Sequence, residues 1–481
     1  MVALLLVCFL MVLAFEATNG FHDASNAVAT VIYTHSLKPV PAVVWSGVMN
    51  FVGVMAGGIA VAYALVEILP PDVLTPPDGT PAVPMLVSIF AAALFWNILT
   101  WAFGIPNSSS HCIVGSLIGV AASDALLKSR SLVHGVDWKQ IGTVLEGLAI
   151  SPVLGCVLAG GLYLLLRVIV RSGALFAAPE ADRPPVWWLR GLLILTCSSV
   201  SFSHGTNDGQ KTIGLIMLTI IGLLPATYAL NPQASAQVAQ LGAYANAAIP
   251  LIQKYGDDVK AHALRSAAEL RDAGPLLREQ ATQLDGQRPG HGAEDRTGAR
   301  GSDTRSGPER GRERNVRARL RGDIYDIVSQ LKHIGELDHA DPADKRRAAL
   351  LRRQMSPPVQ YAPTWVRVLS ALCLGLGTMI GYKRVVRTLG EGLGKARMTP
   401  AQGLSAELVG SVLIGTAGFT GLPVSTTHIV TSGIAGTMLA GGKGLQGGML
   451  TRILLTWVLT LPATMLLSGM LFYLLAKPAL A

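Results

Sequence analysis

The sequence predicts an all-α polytopic membrane protein built from two repeats, with a soluble insertion in its second half. Three observations predict it. Half of the 481 residues are hydrophobic and only 14% are charged. Apolar runs of about 20 residues, the length that crosses a bilayer, recur along the chain. Polar motifs from the first half return in the second. The 52 glycines suit helices that pack closely in lipid.

The apolar runs lie at 1–34, 40–69, 82–103, 106–127, 139–170, 187–224, 363–382, 399–420, 423–442 and 450–476. With the first and sixth read as broken helices, and broken or re-entrant pieces counted separately, about 10–12 membrane segments are expected. Residues 1–170 form the first repeat, and 187–224 with 363–476 the second. The start of the chain lacks a basic region and runs straight into a polar motif, so it reads as a membrane helix and not a cleaved signal. Loop 70–81 carries no positive charge and suits the outer face, whereas His35, Lys38 and the basic segment 383–397 suit the cytoplasm. That last segment reads equally as a surface helix or a solvated loop.

The net charge is +9, but about half of the Lys and Arg fall within residues 225–362 and most others flank apolar runs. No aromatic residues interleave with them to stack bases, which argues against a nucleic-acid partner. The five cysteines all sit in apolar stretches without metal-type spacing, so neither disulfides nor a zinc site is indicated. Residues 225–362 read as a cytoplasmic insertion. Its helix-period arms, 234–284 and 323–354, flank a Gly- and charge-rich centre at about 285–322 that is expected to be disordered.

The chain is organised around residues 16–30, where Glu16, Asn19, His22, Asp23 and Asn26 interrupt an apolar segment. A carboxylate at membrane depth is costly and is seldom there without a function. Asn19-Gly20 is a natural helix break. Ser203-His-Gly-Thr-Asn-Asp-Gly-Gln-Lys-Thr212 repeats the pattern: aligning Gly20 with Gly205 sets Asp23 on Asp208, His22 on Asn207 and Asn26 on Lys211. Matched polar breaks in two halves of a hydrophobic chain point to a secondary transporter's binding site.

A second motif is also duplicated. Gly104-Ile-Pro-Asn-Ser-Ser-Ser-His111 and Gly421-Leu-Pro-Val-Ser-Thr-Thr-His428 each precede an apolar run. Pro152 and Tyr163 are echoed at the same interval by Pro462 and Tyr473. From Asp23 to Pro106 is 83 residues and from Asp208 to Pro423 is 215; the excess of 132 is close to the length of the insertion. The chain is a duplication with the insertion lodged in its second copy.

Pro106 and Pro423 are expected at helix starts, with the hydroxyls in the first turn. Such a start offers unpaired N–H groups and the positive end of the helix dipole. Two meeting across a pseudo-twofold axis would hold a tetrahedral oxyanion through Ser108, Ser109, Ser110, Ser425, Thr426 and Thr427. His111 and His428 read as ligands or as buried packing residues. Asp23 and Asp208 would repel that anion unless a cation lay between them: a metal or sodium ion, a proton, or the ammonium of Lys211. Cation coupling follows from charge balance. Asp23, Asn26, Asn207 and Asp208 are the candidates for the cation side, with His22 and Lys211 as coupling groups.

Gly20-Phe-His-Asp-Ala-Ser-Asn26-Ala, Gly205-Thr-Asn-Asp-Gly-Gln-Lys211-Thr and the two Gly-x-Pro-x-hydroxyl-His elements resemble the inorganic phosphate transporter (PiT) family. The forms Asn-Gly-Phe-His-Asp and Ser-His-Gly-Thr-Asn-Asp-Gly-Gln-Lys are most similar to its bacterial low-affinity Pit members. The resemblance covers the chain apart from the insertion. It implies a homodimeric, multi-pass phosphate symporter with an inverted-repeat transporter fold, in the plasma membrane, the inner membrane in bacteria, and not an enzyme. Sodium sites in sodium-coupled members use the signature Asn and Asp residues, but here His22 and Lys211 replace two Asn. Proton co-transport is therefore expected over sodium. Relatives also suggest a neutral divalent-metal phosphate as cargo, with Asp23 and Asp208 as metal ligands. No resident cofactor is expected.

Sulfate, another tetrahedral oxyanion, is the nearest alternative cargo. A carboxylate acceptor beside the site favours hydrogen phosphate, which can donate a hydrogen bond. A hydrolase built on Ser109 or Ser110 with His111 would need those neighbours on one helix turn to face each other, and a channel would not move protons. Alternating access is expected from rocking one repeat against the other.

Overall fold

The computed structural model describes residues 2–69, 73, 82–129, 138–179, 183–223, 228, 230–256, 260–285 and 307–480. The chain divides into two compact units, Met1–Val73 with Ala82–Thr219 and Ala362–Ala481, and Leu74–Pro81 with Ile220–Tyr361. Both are helical among the described residues. All of the loop expected outside, 70–81, except Val73 lies beyond those residues.

The membrane unit contains α1 (Val2–Tyr33), α2 (Pro39–Ala56), α3 (Ala60–Val66), α4 (Val83–Ala102), α5 (Ser109–Leu127), α6 (Trp138–Ile169) and α7 (Trp187–Leu223). Among the described residues, α2, α4, α5 and α6 are long and apolar enough to cross a membrane. So are two helices near the end of the chain, Pro400–Thr420 and Gly447–Lys477. Thr364–Met379 and Lys383–Gly392, bent by 54° at a short break, meet the same test together, as a broken span or a re-entrant loop, for up to seven spans among the described residues.

The first and sixth apolar runs, expected to break at their polar motifs, are each one continuous helix, α1 and α7. The polar groups pair sideways instead, as in the bond from Asn26 Nδ2 to Asp23 Oδ1 at 2.7 Å. The glycines serve close crossing instead of a break. A Cβ on Gly20 would lie 2.8 Å from Leu374 O, and one on Gly205 would lie 2.3 Å from Asn50 O. The contacts are reciprocal: a Cβ on Gly377 would lie 2.4 Å from Ala17 O, and one on Gly53 would lie 2.2 Å from Phe202 O.

The alignment that sets Gly20 on Gly205 also sets Ala17 on Phe202. Helix α1 of the first copy thus crosses Thr364–Met379 of the second as α7 of the second crosses α2 of the first. Partner exchange of this kind is what a twofold axis generates.

The insertion forms the second unit, with α8 (Ser235–Tyr255), α9 (Lys260–Asp272), α10 (Gly274–Asp285), α11 (Gly307–Glu336) and α12 (Pro342–Met355). It has its own apolar core, in which Leu241, Ala267, Leu277, Ile324, Leu331 and Met355 are buried. The expectation of a disordered stretch at 285–322 fails for residues 307–322, which lie in α11. Residues 286–306 are outside the described set. The correction has a physical cause: Leu320 and the side chain of Arg321 are buried here despite the surrounding charge. Arg321 donates to Tyr228 O at 3.1 Å and Val359 O at 2.9 Å, and Asn231 N donates to Pro358 O at 2.8 Å. These bonds clasp the two ends of the insertion together.

The second copy resumes with α13 (Thr364–Met379) and α14 (Lys383–Arg387), then α15 (Pro400–Thr420), α16 (Thr426–Ala440) and α17 (Gly447–Leu480). A π-helical turn, Thr388–Gly392, follows directly on α14. Helix α5 packs on α17 and α16 packs on α6, so the exchange between copies extends here too. Gly119 lies against Met465 O, as Gly436 does against Cys156 O.

Candidate functional site

The chain turns sharply between α4 and α5, and again between α15 and α16. Gly104 (φ +66°) and Gly421 (φ +81°) adopt the left-handed conformation that favours glycine. Pro106 and Pro423 fall in the extended stretches that follow, before the helix starts where they were expected. Helix starts come later because Ser108 and Ser425 are the N-caps. Their Oγ atoms accept from His111 N and His428 N, both at 3.2 Å, with nearly equal backbone angles. For these two serines the capping role is met.

The two helix starts meet. Ser110 Oγ donates to Val424 O at 2.9 Å, joining the first tip to the second. The rings of His111 and His428 lie 4.6 Å apart, and His428 stacks on Trp457 at 3.8 Å. His111 Nδ1 is 2.8 Å from Ser108 Oγ and pairs with neither Ser109 nor Ser110. The nucleophile–base pairing a hydrolase would need at those two serines does not form.

Beside the tips lies a buried ionic cluster supplied by α1 and α7. His204 Nε2 is 3.3 Å from Asp23 Oδ2 and 3.5 Å from Asp208 Oδ2. One ligand atom from each of these three buried residues lies within 4.8 Å of the others, a spacing that can hold a cation. His204 Nδ1 is set by Asn50 Oδ1 at 2.7 Å, and Asn50 Nδ2 donates to Thr378 Oγ1 at 3.2 Å. Such an outer partner fixes the ring's orientation.

Lys211 Nζ is 2.6 Å from Asp208 Oδ1, 2.6 Å from Ser110 Oγ and 3.0 Å from Val424 O. The ammonium therefore stands between the carboxylate of α7 and both helix tips. Thr427 Oγ1 donates to Asp23 Oδ1, and Thr426 Oγ1 lies 3.4 Å from Asp208 Oδ2. Hydroxyls of the second tip are thus directed at oxyanions already present in the protein.

Of the residues singled out in the sequence, Asp23, Asn26, Asp208, Lys211, Ser110, Thr426 and Thr427 converge. Ser109 is buried at the first tip, with no side-chain hydrogen bond to the described residues. Asn207 reaches away, its Nδ2 3.5 Å from Leu422 O. His22 does not join the cluster. Its Nε2 is 2.9 Å from Asn97 O on α4, because successive helix residues point about 100° apart and Asp23 already faces α7.

His204 takes the place expected of His22. Its i, i+4 spacing to Asp208 was the available signal, since those positions share a helix face.

An internally duplicated helical membrane fold, with a polar site where its copies meet, defines a membrane transporter. The model of the phosphate transporter family (PHO4) matches residues 19–468, and the chain belongs to that family. It is 38% identical to the low-affinity inorganic phosphate transporter PitA of Escherichia coli strain K12, over 98% of this chain and 96% of that one. The figures are the same for PitB of that strain. A probable low-affinity inorganic phosphate transporter of Bacillus subtilis is 26% identical over 98% of this chain and 96% of its own.

A solved structure, the sodium-dependent phosphate transporter, shares the fold with TM-score 0.52 and 16% identity, covering 99% of each chain. The chain is a multi-pass protein of the plasma membrane, and its family is one of transporters and not of enzymes.

Proposed function

We propose that this protein carries inorganic phosphate across the plasma membrane together with protons, as a secondary active transporter. The observation that carries the reading is the meeting of the two hydroxyl-lined helix starts at Ser110 and Val424, with Lys211 bonded to both. Ser109, Ser110, Thr426 and Thr427, with the backbone N–H groups of α5 and α16, hold the anion in this reading. Ser108 and Ser425 shape the tips as caps. Asp208 balances Lys211, and Asp23 with His204 forms the cation side. Lys211 occupies a position where a sodium ligand is expected, which supports a proton as the coupling ion. Sequence likeness to PitA and PitB, which are named low-affinity inorganic phosphate transporters, supports phosphate as the cargo.

A second reading of the cargo rests on the buried Asp23–His204–Asp208 grouping. Two carboxylates and an imidazole can ligate a divalent ion, and phosphate oxygens would complete its shell, so that a neutral metal phosphate is carried. A homodimer is part of the proposal on family resemblance, and crosslinking in native membranes tests it.

The deciding experiment is phosphate uptake by cells or vesicles in sodium-free medium, with and without a divalent metal and a protonophore. Uptake that persists without sodium and collapses with the protonophore supports proton coupling; dependence on sodium overturns it. A metal requirement selects metal phosphate over the free anion. Strong competition by sulfate would move the assignment to the alternative oxyanion.

A further inference from the structure

We propose that Glu16 carries the coupling proton, acting beside the anion site and not within it. The inference rests on the proton-coupled reading and names the group that reading leaves unassigned. Glu16 is completely buried in α1, two helical turns before Asp23 and on the same face. Its carboxylate accepts from Thr212 Oγ1 on α7, from Asn19 Nδ2 at 3.3 Å, and from Ser370 Oγ on α13 at 3.5 Å. All three donors are neutral, and no Lys or Arg among the described residues pairs with it.

The titratable groups that face Glu16 are Asp208 and His204 from α7 and the Cys373 thiol from α13. An ionised carboxylate here would be buried without a counter-charge, which is costly in a membrane interior. A protonated one fits the neutral donors, with its hydroxyl hydrogen free to turn toward an acceptor.

Position separates Glu16 from Glu407, another buried carboxylate of the membrane unit. Thr212, which binds Glu16, is one turn from Asp208 and adjacent to Lys211. Ser370 also donates to Gly209 O at 3.2 Å, so α7 is gripped on the same turn from α13. Glu407 is held by Thr196 at 2.6 Å, more than three turns from Asp208 along α7. A change of charge at Glu16 is felt by the turn bearing Asp208 and Lys211, and one at Glu407 is not.

In the proposed step, the Glu16 carboxylate takes a proton from the face where phosphate enters. It releases that proton to the other face when the anion leaves, so one proton crosses with each carboxylate cycle and no bond in the cargo changes.

The test uses the full chain in liposomes containing a pH-sensitive dye. Three quantities are followed: phosphate–phosphate exchange at equal pH, accumulation driven by a pH gradient, and proton entry with phosphate. For Glu16→Gln, exchange is expected to stay within about twofold of the parent while accumulation and proton entry fall at least about tenfold. Glu407→Gln, the control for losing a buried carboxylate, should keep all three. Glu16→Asp, which retains the acid one methylene shorter, should accumulate phosphate with a displaced pH profile.

Gradient-driven accumulation by Glu16→Gln overturns the assignment, as does loss of exchange together with accumulation. Should Glu16→Gln fail to insert, an unchanged pH profile in Glu16→Asp overturns it. Phosphate uptake by the parent without any proton entry would instead remove the coupling reading itself.

Discussion

Lys211 Nζ lies 2.6 Å from Asp208 Oδ1, and both side chains are buried. Removing one member of such a pair strands the other charge, at a cost of about 3–5 kcal/mol. Asp208→Asn and Lys211→Ala are each expected to abolish phosphate uptake while the protein still reaches the membrane. Replacing both together should restore much of the thermal stability lost by either, without restoring uptake. Membrane-fraction blots with labelled phosphate uptake check both outcomes. Normal uptake in either single variant would remove the pair from the mechanism.

Ser109, Ser110, Thr426 and Thr427 crowd the two helix starts around Lys211 and the carboxylates. Alanine at Ser109 or Thr426 should weaken phosphate affinity, each lost hydrogen bond being worth about 1 kcal/mol, or roughly fivefold in the half-saturating concentration. An unchanged concentration dependence excludes the residue from the anion site. Alanine at Ser108 or Ser425 removes a cap instead, so it should lower stability by about 1 kcal/mol.

Gly205 meets Asn50 O so closely that a Cβ would sit 2.3 Å away. Gly205→Ala should therefore force α7 off α2 and lower stability by about 1–3 kcal/mol. On α6, a Cβ at Gly142 would have nothing within 4 Å, and Gly142→Ala should be neutral or mildly stabilising. The yield of monodisperse protein after detergent extraction and heating distinguishes the two. Equal tolerance would contradict the close crossing.

In the insertion, burial raises the Asp323 carboxyl to about 6, with the like charges of Glu269 and Asp326 adding to the effect. Its folded state thus holds a proton more tightly than its unfolded state, whose carboxyl titrates near the ordinary 3.8. Stability from this residue is highest below the unfolded value and falls as pH rises through about 6. Asp323→Asn should flatten that decline and protect α9 and α11 by about 1 kcal/mol at neutral pH. Hydrogen exchange at pH 5 and 7, corrected for intrinsic rates, reads the difference.

Much of the site was legible because it is written twice. Asp23 and Asp208 align through Gly20 and Gly205, and the two hydroxyl motifs align through their prolines; convergence of duplicated polar groups followed from that pairing. The part that was not legible is directional. Sequence places His22 next to Asp23, but helix geometry turns it toward Asn97 and gives the cluster His204 instead.

Gly20 looked like a break because glycine permits one, and only the neighbouring helix reveals that it admits a close crossing. The insertion misled for a related reason. A Gly- and Arg-rich stretch reads as solvated chain until Arg321 is seen to find two carbonyl acceptors in the interior of that unit.

The reciprocal glycine crossings also bear on how the pocket can open to one side and then the other. Because α1 is clasped by α13 while α7 is clasped by α2, the sequence halves are interlaced like the fingers of two hands. A swing that parted them at the duplication boundary would have to undo both clasps in every cycle. A rocking motion that kept both clasps intact would move bodies that each draw on both halves of the chain.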